Sequence, residues 1–216
     1  MQRVRSSCFA IAISLLLAAG AAAQDVMPLA QPTDALLQLK EVDWPELAKA
    51  AEVISVEWDF IAESFDKVGG PPTDQFQLAM KHNKLLLQKA AAEPNNQYSL
   101  ELVDYVEEDL ILKASFIREK SAGAVVTAAT YSEVAVDVRT MKNGSEIDGY
   151  FIGFSPRYMA GGNPLVTFNN PTNPSKGSLA PGRYEMMAIQ NGKVVQRQEV
   201  SVGILGQQGP IICLVP

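Results

Sequence analysis

Hydrophobic residues in the N-terminal half of the chain recur with the spacing of an α-helix. Between residues 45 and 68, seven apolar positions follow one another at alternating intervals of four and three residues, which is a heptad pattern. They are Leu47, Ala51, Ile54, Trp58, Ile61, Phe65 and Val68. Pro45 suits a first helical turn, Asp43 with Glu46 predicts a capping box, and the Gly-Gly-Pro-Pro run at residues 69–72 ends the helix.

Two more long helices follow with the same period. One begins near Thr73 and ends before Pro94, with Phe76, Met80, Leu87 and Ala90 on its buried side. The next covers residues 97–121, with Val103, Val106, Leu110, Ala114 and Ile117 on one face. A shorter helix is predicted at residues 34–42. Because the links are short, neighbouring helices should be antiparallel, which predicts an up-down-up three-helix bundle over residues 34–121.

After residue 123 the hydrophobic period changes to two. Val134, Val136 and Val138 alternate with more polar residues, as in a strand with one buried face. Two Asn-Gly pairs, at residues 143–144 and 191–192, predict tight hairpins. Further strands are expected near residues 147–154, 164–168, 183–189, 193–202 and 211–215. Short strands without intervening helices favour an antiparallel β-sandwich over residues 124–216, so the predicted fold class is α+β with two domains.

The first residues have the organisation of an export signal. Arg3 and Arg5 precede an apolar run over residues 8–19, and three alanines at positions 21–23 form a small-residue cleavage site. The run is shorter than the roughly 20 apolar residues that span a bilayer. We therefore predict a signal peptide over residues 1–23, a linker over residues 24–33, no membrane span, and a periplasmic or secreted mature protein.

Charge and cysteine content restrict the classes of partner. Removing Arg3 and Arg5 leaves 16 basic against 24 acidic side chains, a net charge of −8, and the acidic excess lies in the helical half. Nucleic-acid binding needs a basic patch, which this chain lacks. Only Cys213 remains after cleavage, so the mature chain forms no internal disulfide. An exported domain without disulfides fits the bacterial periplasm or exterior.

Most catalytic constellations are missing from the sequence. His82 is the single histidine, position 79 is Ala, so the Glu-x-x-His pair of helical di-iron sites is missing, and no Gly-x-Ser-x-Gly elbow lies near it. We interpret His82 as a surface or boundary residue. Acidic side chains line two helix faces at spacings of three or four, and we interpret both as solvated faces. They are Asp59, Glu63 and Asp66, and Glu101, Asp104 and Glu108. No metal and no cofactor is predicted, and Cys213 is expected to be a packed strand thiol.

Several segments of the C-terminal half carry a family resemblance. They are Ile147-Asp148-Gly149-Tyr150, Leu179-Ala180-Pro181-Gly182-Arg183-Tyr184, and Gly192 closing a hairpin that leads to residues 200–203. Over about residues 132–216 this resembles the transthyretin-like or carboxypeptidase-regulatory-like β-sandwich modules, including PEGA-type domains, of exported bacterial proteins. The chain lacks the Pro-Glu-Gly-Ala quartet itself. The resemblance implies a non-catalytic accessory or adhesion-like module.

The candidate binding residues lie in a long predicted loop. Residues 155–182 are rich in Asn, Pro and Gly and are interrupted only by the strand predicted at 164–168. Loops of this length in compact domains tend to be functional, and Arg157, Tyr158 and Lys176 are its candidate contacts for a glycan or protein. The alternative is a solvent-exposed crossover between the two sheets.

These patterns favour a non-enzymatic binding or assembly protein of the bacterial cell envelope. In this hypothesis the sandwich engages a protein or glycan and the bundle acts as a spacer or association surface. The alternative is an envelope carbohydrate-acting enzyme that uses a pair of carboxylates. The bundle also carries apolar residues off its main seams, which predicts a homodimer through the bundle unless the sandwich covers them. They are Val53, Val56, Phe60, Leu100, Leu102, Ile111, Leu112 and Phe116.

Overall fold

A computed structural model describes residues 29–123, 126–159, 162–168, 170–171, 173–204 and 209–216. The predicted signal peptide and residues 24–28 of the predicted linker lie outside the described residues. The helices are α1 (Thr33–Lys40), α2 (Pro45–Val68), α3 (Asp74–Ala92), α4 (Gln97–Ser121) and α5 (Ala128–Ser132). The strands are β1 (Val134–Lys142), β2 (Ser145–Glu146), β3 (Phe151–Pro156), β4 (Val166–Phe168), β5 (Ser175–Leu179), β6 (Gly182–Gln190), β7 (Lys193–Val202) and β8 (Ile211–Leu214). The predicted α+β class is confirmed.

The three long helices begin and end close to the predicted residues. Six of the seven heptad positions of α2 are buried, and Val68, the last of them, is half-buried. All the predicted buried positions of α3 and α4 lie in one hydrophobic core. The predicted capping box is wrong: Trp44, not Asp43, is the N-cap of α2, and its indole makes no side-chain cap because it has no hydrogen-bond acceptor.

Contacts between helices fix the direction of the bundle. Arg118 of α4 forms an ion pair with Glu57 of α2 at 2.7 Å. Nearer the N-terminal end of both helices, Lys49 of α2 lies near Glu107 of α4. The helices α2 and α4 therefore run parallel, with α3 antiparallel to both, as an up-down-up bundle requires. The short α1 packs against α2 and α3.

The strands form two four-stranded sheets that enclose a second hydrophobic core. The first sheet has the order β2-β1-β5, with β8 also paired to β1, and the second has the order β4-β3-β6-β7. Every pairing described is antiparallel except that of β8 with β1. Asn143 and Gly144 both have positive φ, as do Asn191 and Gly192, so both Asn-Gly hairpins are confirmed.

The strand predicted near residues 147–154 is wrong in its bounds: the structure has β2 at Ser145–Glu146 in the first sheet and β3 at Phe151–Pro156 in the second, with residues 147–150 outside both. Besides β2, two elements were not predicted. The first is α5, which is capped by reciprocal contacts between Thr127 and Thr130. The second is β5, which lies inside the stretch predicted as loop and pairs with β1. Its sequence Ser-Lys-Gly-Ser-Leu has little strand character. Gly177 is needed there because any Cβ at that position would overlap the ring of Phe168, which packs across it in the β-core.

The helical and β halves meet along α4. Strand β6 packs against this helix, and Ala180, just before β6, belongs to the core of the bundle. Phe116 of α4 lies close to Gly203 at the end of β7. None of the helices in the part of the chain described here is long and apolar enough to cross a membrane.

Candidate functional site

A buried carboxylate lies at the junction of α3, α4 and β6. Asp109 accepts a hydrogen bond from the Asn83 side chain at 2.7 Å and one from the backbone N–H of Arg183 at 2.8 Å. Lys113, one helical turn further along α4, forms a short ion pair with the same carboxylate. Asp109 and Lys113 are 3% and 0% exposed. A buried charge is tolerated only when it is paired and hydrogen-bonded, and three donors meet that requirement here.

Gly182 allows the sheet to approach this ion pair. It is buried, has φ +154°, and precedes Arg183, whose N–H reaches Asp109. A Cβ at Gly182 would lie against the Asp109 carboxylate and 2.6 Å from the Lys113 ammonium. The Pro-Gly-Arg segment noted in the sequence therefore brings the start of β6 onto α4.

The turn that follows β3 places two of the predicted binding residues on the bundle. Arg157 and Tyr158 follow Pro156, and Tyr158 has φ +62°, a left-handed conformation that is uncommon for a bulky residue. Its ring makes edge-on contacts with Tyr105, at 5.6 Å between centroids, and with Tyr98, at 5.9 Å. These three tyrosines, which we call the aromatic seam, join α4 to the second sheet.

Cationic side chains cover the seam. Arg157 lies over the ring of Tyr158 at 4.9 Å, and Lys89 of α3 lies over the ring of Tyr98 at 4.7 Å. Arg183 lies 5.8 Å from the ring of Tyr105. Each such contact is worth roughly 0.5–1 kcal/mol at an exposed site. The seam thus alternates aromatic and cationic groups from both halves of the chain.

A series of ion pairs runs beside the seam. Glu199 of β7 contacts Arg157 at 3.2 Å and Arg183 at 3.7 Å, and Arg183 also pairs closely with Glu108 of α4. The Glu199 and Glu108 side chains are more than half exposed, so these pairs stabilise the fold little. Their effect is to fix where the charges of the turn, the sheet and the helix lie relative to one another.

Two tyrosines of the seam, Tyr105 and Tyr158, are neutral hydrogen-bonding groups. Burial raises the pKa of Tyr105 far above its usual value, and the nearby Asp109 charge raises it further. Burial also raises the pKa of Tyr158. The Tyr105 hydroxyl donates to the backbone carbonyl of Arg183 at 3.0 Å. At Tyr105 and Tyr158 the seam therefore offers aromatic surface and hydroxyl groups that stay protonated.

His82 is buried and is not the surface or boundary residue predicted from the sequence. It is 8% exposed, and its Nε2 lies 2.8 Å from the backbone carbonyl of Arg157. A carbonyl only accepts, so Nε2 carries the proton. Burial lowers the pKa of His82, and this outweighs the opposing effects of the Arg157 carbonyl and of Asp109. The sequence around His82 gave no sign of this contact because its partner is a backbone atom 75 residues away.

Lys176 lies away from the other two candidate residues. It is on β5 in the first sheet, its side chain is 70% exposed, and its ammonium is 3.9 Å from the Asp137 carboxylate. It lines an open groove of about 630 Å³ together with Gln75, Phe168 and Gly177. The structure therefore brings Arg157 and Tyr158 together and puts Lys176 on a separate surface.

The two acidic faces are exposed, as predicted. Asp59 and Asp66 line an apolar groove of about 450 Å³ beside α2, where Asp59 accepts a hydrogen bond from Gln31 at 3.0 Å. Partial burial raises the pKa of Asp104, and the neighbouring Glu101 charge adds to this. Within the residues that the structure describes, no three His, Cys, Asp or Glu side chains converge as metal ligands would.

No protein-family model matches the sequence, and a search of curated proteins finds no significant match.

Proposed function

We propose that this chain is an exported, non-enzymatic binding or assembly protein of the bacterial cell envelope, and that the aromatic seam is its binding surface. The observation that carries the proposal is the position of Tyr158 in the turn after β3. It has a left-handed backbone conformation, its ring packs against Tyr98 and Tyr105 of α4, and Arg157 stacks on that ring. A strained residue of this kind persists only where its surroundings hold it, and such residues concentrate at binding and catalytic sites.

The composition of the surface supports binding. Tyr and Arg are enriched among the residues that contribute most to protein–protein affinity, because each combines a large contact area with directional polar groups. Tyr98 is 37% exposed, and the Arg157 side chain is 43% exposed. The surrounding acidic residues Glu101, Glu108 and Glu199 complement a partner that carries basic groups.

The resemblance of residues 132–216 to transthyretin-like modules supports the same class of function, because it implies an accessory module. The export proposed from residues 1–23 would deliver the mature chain to the periplasm or the exterior. The partner proposed is a protein or glycan of the envelope. The competing reading, a carbohydrate-acting enzyme with a carboxylate pair, is an outcome of the test below.

The test uses the full mature chain, residues 24–216, immobilised and exposed to solubilised envelope proteins and to purified envelope glycans. Binding partners are identified by mass spectrometry and their affinities are then measured by calorimetry. The variants Tyr98→Ala and Arg157→Glu change the seam. Lys176→Glu tests the second predicted surface. Lys142→Glu makes the same charge reversal on the exposed β1–β2 hairpin and serves as the control.

We expect each seam variant to weaken binding about 30-fold, the effect of losing a residue worth roughly 2 kcal/mol, while Lys142→Glu leaves affinity unchanged. If only Lys176→Glu loses binding, the binding surface is at β5 and not at the aromatic seam. If incubation of the chain with envelope glycans releases shortened glycan, the alternative function, a carbohydrate-acting enzyme, is supported instead.

We further propose that the bundle mediates self-association. Eight apolar residues of α2 and α4 lie outside the main hydrophobic faces of these helices. Of these, Leu102 and Phe116 are buried within the chain, whereas Val56 is 64% and Ile111 is 38% exposed. We expect light scattering at tens of micromolar to give the mass of a dimer, and Val56→Glu to give that of a monomer. A monomeric mass for the unaltered chain would reject self-association through the bundle.

A further inference from the structure

Two reactive side chains share one hydrogen-bond acceptor in the core of the junction. Asn83 of α3 donates from Nδ2 to Oδ2 of Asp109 at 2.7 Å, and Lys113 of α4 forms its ion pair with the same oxygen. The amide nitrogen of Asn83 and the ammonium nitrogen of Lys113 are therefore neighbours, although the two residues lie on different helices. A lysine amine is a nucleophile toward carbonyl carbon, so an amine and an amide held together are the reactants of an amide exchange.

The protein keeps bulk water away from these three side chains. Asn83 is 1%, Asp109 is 3% and Lys113 is 0% exposed. The Lys113 ammonium lies 6.0 Å from the centre of the buried Phe76 ring, and the start of β6 covers the Asp109 carboxylate through the N–H of Arg183. Exclusion of water suppresses hydrolysis as a side reaction, and fixed neighbours need no further encounter before they react.

We propose that Lys113 and Asn83 form an intramolecular amide bond, in which Nζ of Lys113 replaces Nδ2 on Cγ of Asn83 and ammonia is released, with Asp109 as the proton carrier. The bond joins α3 to α4 through their side chains. This proposal does not rest on the binding function proposed above, because every group that takes part in the reaction belongs to the core of the junction.

The reaction balances without any further reactant. Oδ2 of Asp109 takes a proton from the Lys113 ammonium, which frees the lone pair of Nζ to attack Cγ of Asn83. In the tetrahedral intermediate, Oδ2 returns that proton to Nδ2 and takes a second proton from Nζ, the bond between Cγ and Nδ2 breaks, and ammonia leaves. Of the three ammonium protons, one stays on the new amide nitrogen, one leaves in ammonia and one remains on Asp109.

The position of the Asp109 carboxylate suits both proton transfers. A general acid or base must lie within hydrogen-bond reach of the proton that it moves. Oδ2 contacts both the nitrogen that attacks and the nitrogen that leaves, while Oδ1 accepts from the backbone N–H of Arg183 at 2.8 Å. The backbone of β6 therefore holds the carboxylate in the orientation that serves both partners.

The reaction also removes two charges from the core. For a buried ion pair, the cost of desolvation can exceed the attraction between the charges. In the product, Lys113 is part of a neutral amide and Asp109 is a neutral carboxylic acid. Ammonia passes to the solvent, where its dilution opposes the reverse reaction.

Trypsin digestion followed by mass spectrometry tests the bond on the folded mature chain, residues 24–216. Without the bond, trypsin releases residues 82–84 and residues 90–113 as two linear peptides. With the bond, the chain is not cleaved after Lys113. We then expect one branched peptide that joins residues 82–84 to residues 90–118 and weighs one ammonia less than the two segments together. Fragmentation locates the link at Asn83 and Lys113.

The unaltered chain decides whether the bond exists. Only linear peptides in its digest would overturn the proposal. Loss of one water within residues 90–118, without a branch, would make Asp109 the acyl donor and would overturn it as well. The link is identified in the peptides and not from the mass of the whole chain, because an N-terminal Gln24 and the two Asn-Gly pairs can also lose ammonia by cyclisation.

The variant Asp109→Asn tests the proton carrier at nearly constant side-chain size. We expect it to give the two linear peptides, whereas Asp104→Asn, the same substitution at an exposed position of α4, should give the branched peptide as the unaltered chain does. Because the loss of Asp109 also destabilises the fold, both variants are incubated with a stabilising osmolyte, and circular dichroism verifies their helix content before digestion. Branched peptide in Asp109→Asn at the level of the unaltered chain would overturn the role of Asp109.

Discussion

The carboxylate of Asp109 on α4 accepts a hydrogen bond from the backbone N–H of Arg183 on β6, at 2.8 Å. This contact joins residues 74 positions apart and lies where the helical half meets the second sheet. The same carboxylate binds Lys113 and Asn83, so one side chain links two helices and a strand. The two halves are therefore coupled through a polar contact at their centre as well as through apolar packing.

The first prediction concerns the charge of this carboxylate. Asp109→Asn should lower the free energy of unfolding by about 3–5 kcal/mol, because it leaves Lys113 buried without its counter-ion. Urea denaturation of the mature chain measures the loss. Glu63→Gln is the matched control, since Glu63 and Lys67 form an ion pair with the same i,i+4 spacing on the surface of α2. That control should cost less than about 0.5 kcal/mol, and equal losses in the two variants would contradict the prediction.

A second prediction concerns Gly182, the glycine that lets β6 approach the Asp109–Lys113 ion pair. Gly182→Ala should destabilise the fold by about 2–5 kcal/mol, since the added methyl group combines backbone strain with overlap at Asp109 and Lys113. Gly144 also has a positive φ, at +80°, but open space around a new Cβ, so in Gly144→Ala only the strain of about 1–2 kcal/mol should remain. Thermal unfolding compares the two. If Gly182→Ala costs no more than Gly144→Ala, the close approach at β6 is not needed.

The sequence predicts those parts of the fold that depend on local periodicity. The heptad residues of α2 and the alternating valines of β1 lie as expected, because the side chains that form each core face recur within one element. Strand β5 escaped prediction because its place depends on a distant residue. Gly177 lies under Phe168, and its backbone pairs with Val136 of β1. Both partners lie outside the five residues of the strand, so the local sequence does not reveal them.

The candidate site was predictable only in part, for a related reason. Arg157 and Tyr158 stood out as large side chains in a loop rich in turn residues, and they lie together on the surface of the junction. Their partners on α4 and α3 could not be found in the same way. Tyr105 and His82 occupy helix positions that look like ordinary buried or boundary residues, and both contact the β half through backbone carbonyls. Backbone acceptors leave no signature in sequence.

A third prediction concerns the thiol of Cys213. It is 1% exposed on β8, and burial raises its pKa to about 11. At pH 8 the native mature chain should therefore react with a maleimide at least about a hundredfold more slowly than the same chain in denaturant, from the scarcity of thiolate alone. Mass spectrometry follows the reaction. Rapid labelling of the native protein would show that β8 detaches from β1 or that the first sheet opens.

The last prediction concerns the four residues 29–32, which cross the bundle before α1. The indole N–H of Trp58 donates to the carbonyl of Leu29 at 2.7 Å, and the side chain of Gln31 donates to the carbonyl of Ser55 at 2.9 Å. Trp58→Phe keeps an aromatic ring in the core but removes the first donor, so we expect a loss of about 1–3 kcal/mol from the unpaired carbonyl and the reduced volume.

Hydrogen exchange separates the two causes. Loss of the Trp58 donor should speed exchange at the amides of residues 29–31 before it affects those of α2, because this segment is held by the contacts just described and not by a helix ladder. Trp44→Phe is the control, as Trp44 is a half-buried N-cap residue on the same helix. Trp44→Phe should leave exchange at residues 29–31 unchanged. Faster exchange throughout α2 in Trp58→Phe, with no earlier change at residues 29–31, would mean that Trp58 acts through core volume and that its hydrogen bond to Leu29 contributes little.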